Sequence, residues 1–132
     1  MSEPVLGVVA VGNALVDVLA QAPDDFIQKQ GMEKGVMTLV DKSRAIEVYK
    51  ELTKMPGCLR TSGGSAANTI VGVSSFGGRG AYIGKIRKDG VGDVFRHDIR
   101  ASGVAFTTAQ AEDGPPTARS FILVTPDGER TM

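Results

Sequence analysis

The chain has 132 residues, 42% of them hydrophobic and 23% charged, the balance of a single globular domain long enough to bury a core. Fifteen Lys plus Arg against 15 Asp plus Glu argue against a nucleic-acid partner or an acidic membrane. Aromatic content of 5%, with no tryptophan, argues against a base-stacking platform.

Residues 5–11 are an apolar run broken only by Gly7 and predict a buried strand. Gly12-Asn13 ends it, and residues 14–21 form a second strand-like run with one charge, Asp17, at its middle. Pro23-Asp24-Asp25 marks a helix start and Gly31 its stop. Residues 36–40 read as another strand. Asp41 or Ser43 then caps a helix whose Ala45, Ile46, Tyr49 and Leu52 share a face, closed by Pro56-Gly57. Gly63-Gly64 precede a small-residue helix over 65–76, ended by Gly77-Gly78. Residues 81–86 predict a strand. Val91, Val94, Phe95 and Ile99 mark an amphipathic helix with Gly103 as its cap. Residues 106–110 and 118–125 read as strands on either side of a loop holding Pro115-Pro116. Pro126-Asp127-Gly128 is a turn signal with only four residues after it, so the hairpin reads as cut short and the chain as a fragment.

Strands alternating with helices predict an α/β fold. Residues 14–21 follow residues 5–11 with almost no connector. They cannot be the next parallel strand of one sheet and are expected in a small separate sheet.

Several chemistries are excluded. One cysteine, Cys58, forbids an internal disulfide, and with one histidine, His97, a zinc site or a Cys-His dyad has too few parts. No apolar run approaches the ~20 residues of a membrane span. No basic secretory segment is read at the start, and a cytoplasmic protein is expected. Gly84-Lys85 lacks the first glycine and the Ser or Thr of a P-loop, and Gly78-Arg79-Gly80 does not complete a dinucleotide fingerprint.

Three stretches carry positive chemistry. In Gly12-Asn13-Ala14-Leu15-Val16-Asp17, Asn13 and Asp17 are the polar side chains of an apolar segment. An ionised Asp17 can accept from two neighbouring hydroxyls, each charge-assisted bond contributing about 1.5–3 kcal/mol. Taken alone, it is as readily an inert strand-edge carboxylate. In Ser62-Gly63-Gly64-Ser65-Ala66-Ala67-Asn68-Thr69, the glycines let backbone approach a ligand and leave the first helical N–H groups facing it. Asn68, one turn in, brings a donor and an acceptor. A bare Gly-Gly would read simply as a turn before an N-cap Ser65. Gly84 to Asp93 is a charged glycine-rich loop entering a helix, and Arg87 and Lys88 taken singly read as solvated.

In this order and spacing, these motifs resemble the ribokinase-like (PfkB) carbohydrate and nucleoside kinases over essentially the whole chain. Gly63-Gly64 through Asn68 and on to Gly77 is similar to that family's amino-terminal signature. The Gly12–Asp17 stretch and Thr117-Ala118-Arg119-Ser120 resemble its adenosine-kinase-like members. The resemblance implies a three-layer α/β/α domain with a small β-sheet lid, whose strands would be residues 14–21, 36–40 and 106–125. It implies that Asp17 binds adjacent sugar hydroxyls, that Asn13, Gly64 and Asn68 complete the hydroxyl-binding wall, and that Gly63 shapes the turn. Leu15, Thr38 or Phe106 would meet a base. The reaction implied is transfer of the ATP γ-phosphoryl group, usually with magnesium, to a primary hydroxyl of a small-molecule sugar or nucleoside, by a monomer or a lid-mediated homodimer.

The family's general base and anion hole belong to a later motif, D-T-x-G-A-G-D, and no Gly-Ala-Gly-Asp occurs in these residues. The 132 residues are therefore expected to be inactive alone and to leave an apolar sheet edge exposed. The alternative reading is a non-catalytic sugar- or nucleoside-binding module derived from the same fold.

Overall fold

The computed structural model describes residues 5–132. In chain order the elements are β1 (Val8–Val11), β2 (Leu15–Gln21), α1 (Asp24–Lys29), α2 (Lys42–Leu52), β3 (Leu59–Gly63), α3 (Ser65–Ser75), β4 (Gly80–Ile83), α4 (Gly90–Ala101), β5 (Ala118–Val124) and β6 (Arg130–Thr131). The chain falls into two compact units. One runs up to Val16 and resumes over Thr61–Arg119; the other comprises Asp17–Arg60 and Ser120–Met132.

The first unit is built on parallel pairing. β1 pairs with β4, Val8 opposite Gly80 and Val11 opposite Ile83, and Ala105 adds a parallel bridge to Ala81. Helix α3 crosses between the strands and packs on both. Helix α4 presents Val91, Phe95 and Ile99 inward at four-residue spacing, the stripe that an amphipathic helix must bury. Phe95 meets Tyr82 and Phe106, with ring centroids 5.6 Å and 5.5 Å away, and Tyr82 lies 5.9 Å from Phe106. The tilted and edge-on geometries suit the ring quadrupoles. All three rings are buried, as are Ile70, Ile86 and Ile99, each burial contributing about 1.5–3 kcal/mol.

In the second unit β5 and β6 form the expected hairpin, Leu123 opposite Thr131 and Val124 opposite Arg130. Its turn is tied by the Thr125 hydroxyl donating to Asp127 Oδ1 at 2.7 Å. The four-stranded sheet runs in the order β3-β2-β5-β6. Along β2 the side chains alternate: Val16, Val18 and Ala20 are buried, while Leu15, Asp17 and Leu19 share the less buried face. Ile27, Val48 and Leu52 complete the unit's core. Asp41, rather than Ser43, caps α2, accepting from the Arg44 N–H at 2.8 Å.

Three expectations are corrected. Residues 36–40 are not a strand: Val36 and Thr38 make single backbone bonds to Met132, and Leu39 is 93% exposed. Strand propensity without a ladder partner does not make a strand. Residues 106–110 are likewise irregular, held at either end by the isolated bridges of Ala105 and Ala111. The run predicted as buried over 5–11 shortens to β1, whose Val11 is 70% exposed, because of the named strands only β4 pairs with it.

Candidate functional site

Within the first unit, two of the sequence motifs meet. Gly12 closes β1 by donating its N–H to the Ile83 carbonyl at 3.2 Å, and Asn13 follows, exposed. Gly64 caps α3 with φ +102°, a conformation closed to side chains with a Cβ. A methyl group there would lie 2.7 Å from the Asn13 carbonyl oxygen. The glycine thus lets the amino end of α3 sit directly against the Asn13 backbone. Among the described residues no side chain caps α3, which leaves its first N–H groups available. The Asn68 N–H donates to Gly64 O at 2.9 Å, closing the first turn, and the Asn68 side chain is exposed.

The third motif converges on the same place. A cavity of about 420 Å³ is lined by residues 13–15, 85–87 and 115–118, all within the first unit. Its far wall is clamped by Asp89, the N-cap of α4. The carboxylate accepts from Gly92 N–H at 2.7 Å, Thr117 N–H at 2.9 Å and the Thr117 hydroxyl at 2.8 Å. The same hydroxyl oxygen accepts from the Arg87 N–H at 2.9 Å. Partial burial pushes the Asp89 carboxyl up, but the bonds from Thr117 and Gly92 and the nearby Arg119 charge outweigh it and hold it below its ordinary value. The Arg87 guanidinium is spent on the Gly114 carbonyl at 2.8 Å, and Lys88 pairs with exposed Glu112 at 3.3 Å. Lys85 is exposed and without a partner among the described residues.

Of the predicted residues, Asn13, Gly63, Gly64 and Asn68 fall in the first unit, and Asp17 in the second. Asp17 lies half-buried on β2, on the same strand face as Leu15, and burial raises its pKa. The side chains of Asn13, Asp17 and Asn68 have no hydrogen-bond partner among the described residues. Within the first unit, Asn13 and Asn68 thus keep spare hydrogen-bonding capacity, of the kind that suits hydroxyl groups.

Sequence reading took Gly84 to Asp93 as a charged glycine-rich loop entering a helix, with Arg87 and Lys88 solvated, and missed the Asp89–Thr117 clamp. The signal was the coincidence of an N-cap aspartate with a threonine after Pro115-Pro116, separated by a stretch without periodicity. It also missed the Tyr82 hydroxyl, which is buried without a hydrogen-bond partner among the described residues, close under Gly12 and Gly84, its pKa raised by that burial.

Comparison with known proteins identifies the family and the fold. Residues 33–132 match the pfkB family carbohydrate kinase domain. A probable fructokinase-3 of Arabidopsis thaliana is 37% identical over 79 residues, 60% of this chain and 23% of that protein. The crystal structure of adenosine kinase from Sinorhizobium meliloti superimposes with a TM-score of 0.78 and 47% identity, covering 96% of this chain and 38% of that one. A probable sugar kinase from Rhizobium etli gives 0.77 and 45%, over 96% and 37%. The chain thus spans well under half of each relative and shares their mixed α/β, ribokinase-like fold, and it belongs to the pfkB family of carbohydrate kinases.

Proposed function

We propose that this chain is the hydroxyl-binding portion of an ATP-dependent kinase that phosphorylates a hydroxymethyl group of a ribonucleoside or sugar. The observation that carries the reading is the first-unit cavity of about 420 Å³, with Asn13 in its wall and in backbone contact with the glycine that opens α3. Asp17 accepts from adjacent ring hydroxyls, Asn13 and Asn68 supply further donors and acceptors, and Gly63-Gly64 give the ring close access to backbone N–H groups. Held this way, a substrate presents its primary hydroxyl in one orientation, and positioning is a large share of phosphoryl-transfer catalysis. The segments of β2 and β5 act as a lid that excludes water.

ATP supplies the phosphoryl group, with magnesium as its usual companion. Among the described residues no group of three or more His, Cys, Asp or Glu is placed to hold a metal ion. The identity with the Sinorhizobium adenosine kinase favours a ribonucleoside, and the fructokinase relative makes a ketohexose the second choice. Steady-state assays of the full-length protein with ATP and a panel of ribonucleosides and hexoses test this. Phosphorylation of adenosine ahead of fructose is expected, and absence of ATP-dependent turnover on every member would overturn the reading.

A further inference from the structure

Asp98 projects from α4 towards the strand that delivers Gly63-Gly64. Its Oδ2 accepts from the Ser62 N–H at 2.6 Å and from the Thr61 hydroxyl at 3.0 Å. β3 is the edge strand of its sheet, so one row of its backbone groups has no strand partner. Asp98 satisfies one of those donors, the N–H immediately before Gly63. Partial burial raises the Asp98 carboxyl, but the bonds from Ser62 and Thr61 and the neighbouring His97 outweigh it and hold it low. The contact is thus made by an ionised acceptor, the stronger kind of hydrogen bond. Two residues later, Gly64 turns into α3 against the Asn13 carbonyl. Asp98 lines neither the cavity nor any motif that marks the family in the sequence.

We propose that Asp98 is a positioning residue for substrate: by pinning Thr61 and Ser62 to α4, it sets where Gly63, Gly64 and the first turn of α3, with Asn68, present themselves to the ring hydroxyls. This rests on the kinase reading above. A carboxylate that merely capped an edge strand would contribute to stability alone. A carboxylate that sets the approach of the glycine turn contributes to recognition of the hydroxyl substrate and leaves ATP recognition untouched.

The test uses the full-length protein with Asp98→Ala and Asp98→Asn, adenosine and fructose as hydroxyl substrates, and amide hydrogen exchange over residues 59–68. Asp98→Ala is expected to raise KM for the accepted hydroxyl substrate about tenfold, with kcat and the KM for ATP nearly unchanged, and to accelerate exchange of the Ser62 amide. Asp98→Asn keeps an acceptor for that N–H and should restore most of both. If Asp98→Ala does not fold, Asp98→Asn decides alone, with a rise in KM of about threefold expected. An unchanged KM for the hydroxyl substrate in variants that only lose stability overturns the proposal. Failure of the kinase reading shows separately, as a wild-type protein that phosphorylates neither substrate. Exchange then decides what remains, and an unaltered rate at Ser62 in Asp98→Ala overturns the positioning role.

Discussion

Gly64→Ala tests the contact on which the site depends. Two costs combine. An alanine at φ +102° leaves the allowed regions, at about 1–3 kcal/mol. Its methyl group would also lie 2.7 Å from the Asn13 carbonyl oxygen, about 0.7 Å inside ordinary contact. The obstacle is backbone, so the Asn13 loop or the start of α3 must move. Total destabilisation should be about 2–4 kcal/mol, and the displacement should lower kcat/KM for the hydroxyl substrate about 10- to 100-fold. Gly77→Ala is the control. It has φ +84° and nothing within 4 Å of the added methyl, so it bears the backbone strain without the collision. It should cost about 1–2 kcal/mol and leave kcat/KM alone. Urea unfolding followed by circular dichroism gives the stabilities, and steady-state kinetics of the full-length enzyme the rest. If Gly64→Ala behaves like Gly77→Ala in both assays, the close approach of α3 to Asn13 has no part in the site.

Asp17→Asn separates binding from stability. Burial raises the Asp17 carboxyl from 3.8, so its contribution to stability is fully present below that value and is lost as pH rises through the folded-state pKa. The amide should therefore be at least as stable as wild type at pH 7 while affinity for the hydroxyl substrate falls about 10- to 150-fold; lower stability with unchanged affinity by calorimetry would refute the assignment. Tyr82→Phe removes a buried hydroxyl that has no partner among the described residues and should leave the melting temperature equal or higher, whereas a loss above about 1 kcal/mol would mean that the hydroxyl is satisfied after all. Thr117→Val removes the 2.8 Å bond to Asp89 and the 2.9 Å bond from Arg87, at a cost of about 1–3 kcal/mol. Because Asp89 is held below 3.8, its contribution is present above that value and is lost as pH falls through the folded-state pKa. Acid unfolding of Thr117→Val, followed by circular dichroism, should therefore begin at a higher pH than in wild type.

What the sequence reveals depends on whether an element's own residues specify it. α4 was legible because Val91, Phe95 and Ile99 repeat at helical spacing between an N-cap aspartate and a glycine. The hairpin β5–β6 was legible because Pro126-Asp127-Gly128 specifies its turn. β3 was not read at all, because Leu59–Gly63 is polar and mostly exposed and gives no alternation; its place in the sheet comes from its neighbour. Residues 36–40 failed in the opposite way, having strand-like composition without a strand partner. The site followed the same rule. Asn13, Gly63, Gly64 and Asn68 announce themselves in short motifs, since a cap, a turn and a close approach are local demands. The Asp89–Thr117 clamp and the Asp98–Ser62 bond join residues 28 and 36 positions apart, and nothing local in the chain encodes such pairs.

The first unit keeps its aromatic cluster and its cavity on different residues. Tyr82, Phe95 and Phe106 pack on one another, whereas the cavity is lined by loop residues and the first residues of β2 and β5, at positions 13–15, 85–87 and 115–118. Core substitutions are felt as lost packing, but a change at Leu15, Pro115 or Ala118 alters the cavity while the aromatic cluster stays in place. The loop carrying residues 115–118 owes its position to Asp89, whose bonds reach only Thr117 within it. Pro115 and Pro116 lie between that fixed point and Gly114, whose carbonyl accepts from Arg87 at 2.8 Å, so their side chains can change while the loop keeps its two ties. Exchanging residues 115, 116 and 118 should therefore move substrate preference with little change in stability, whereas exchanging Thr117 should do the reverse.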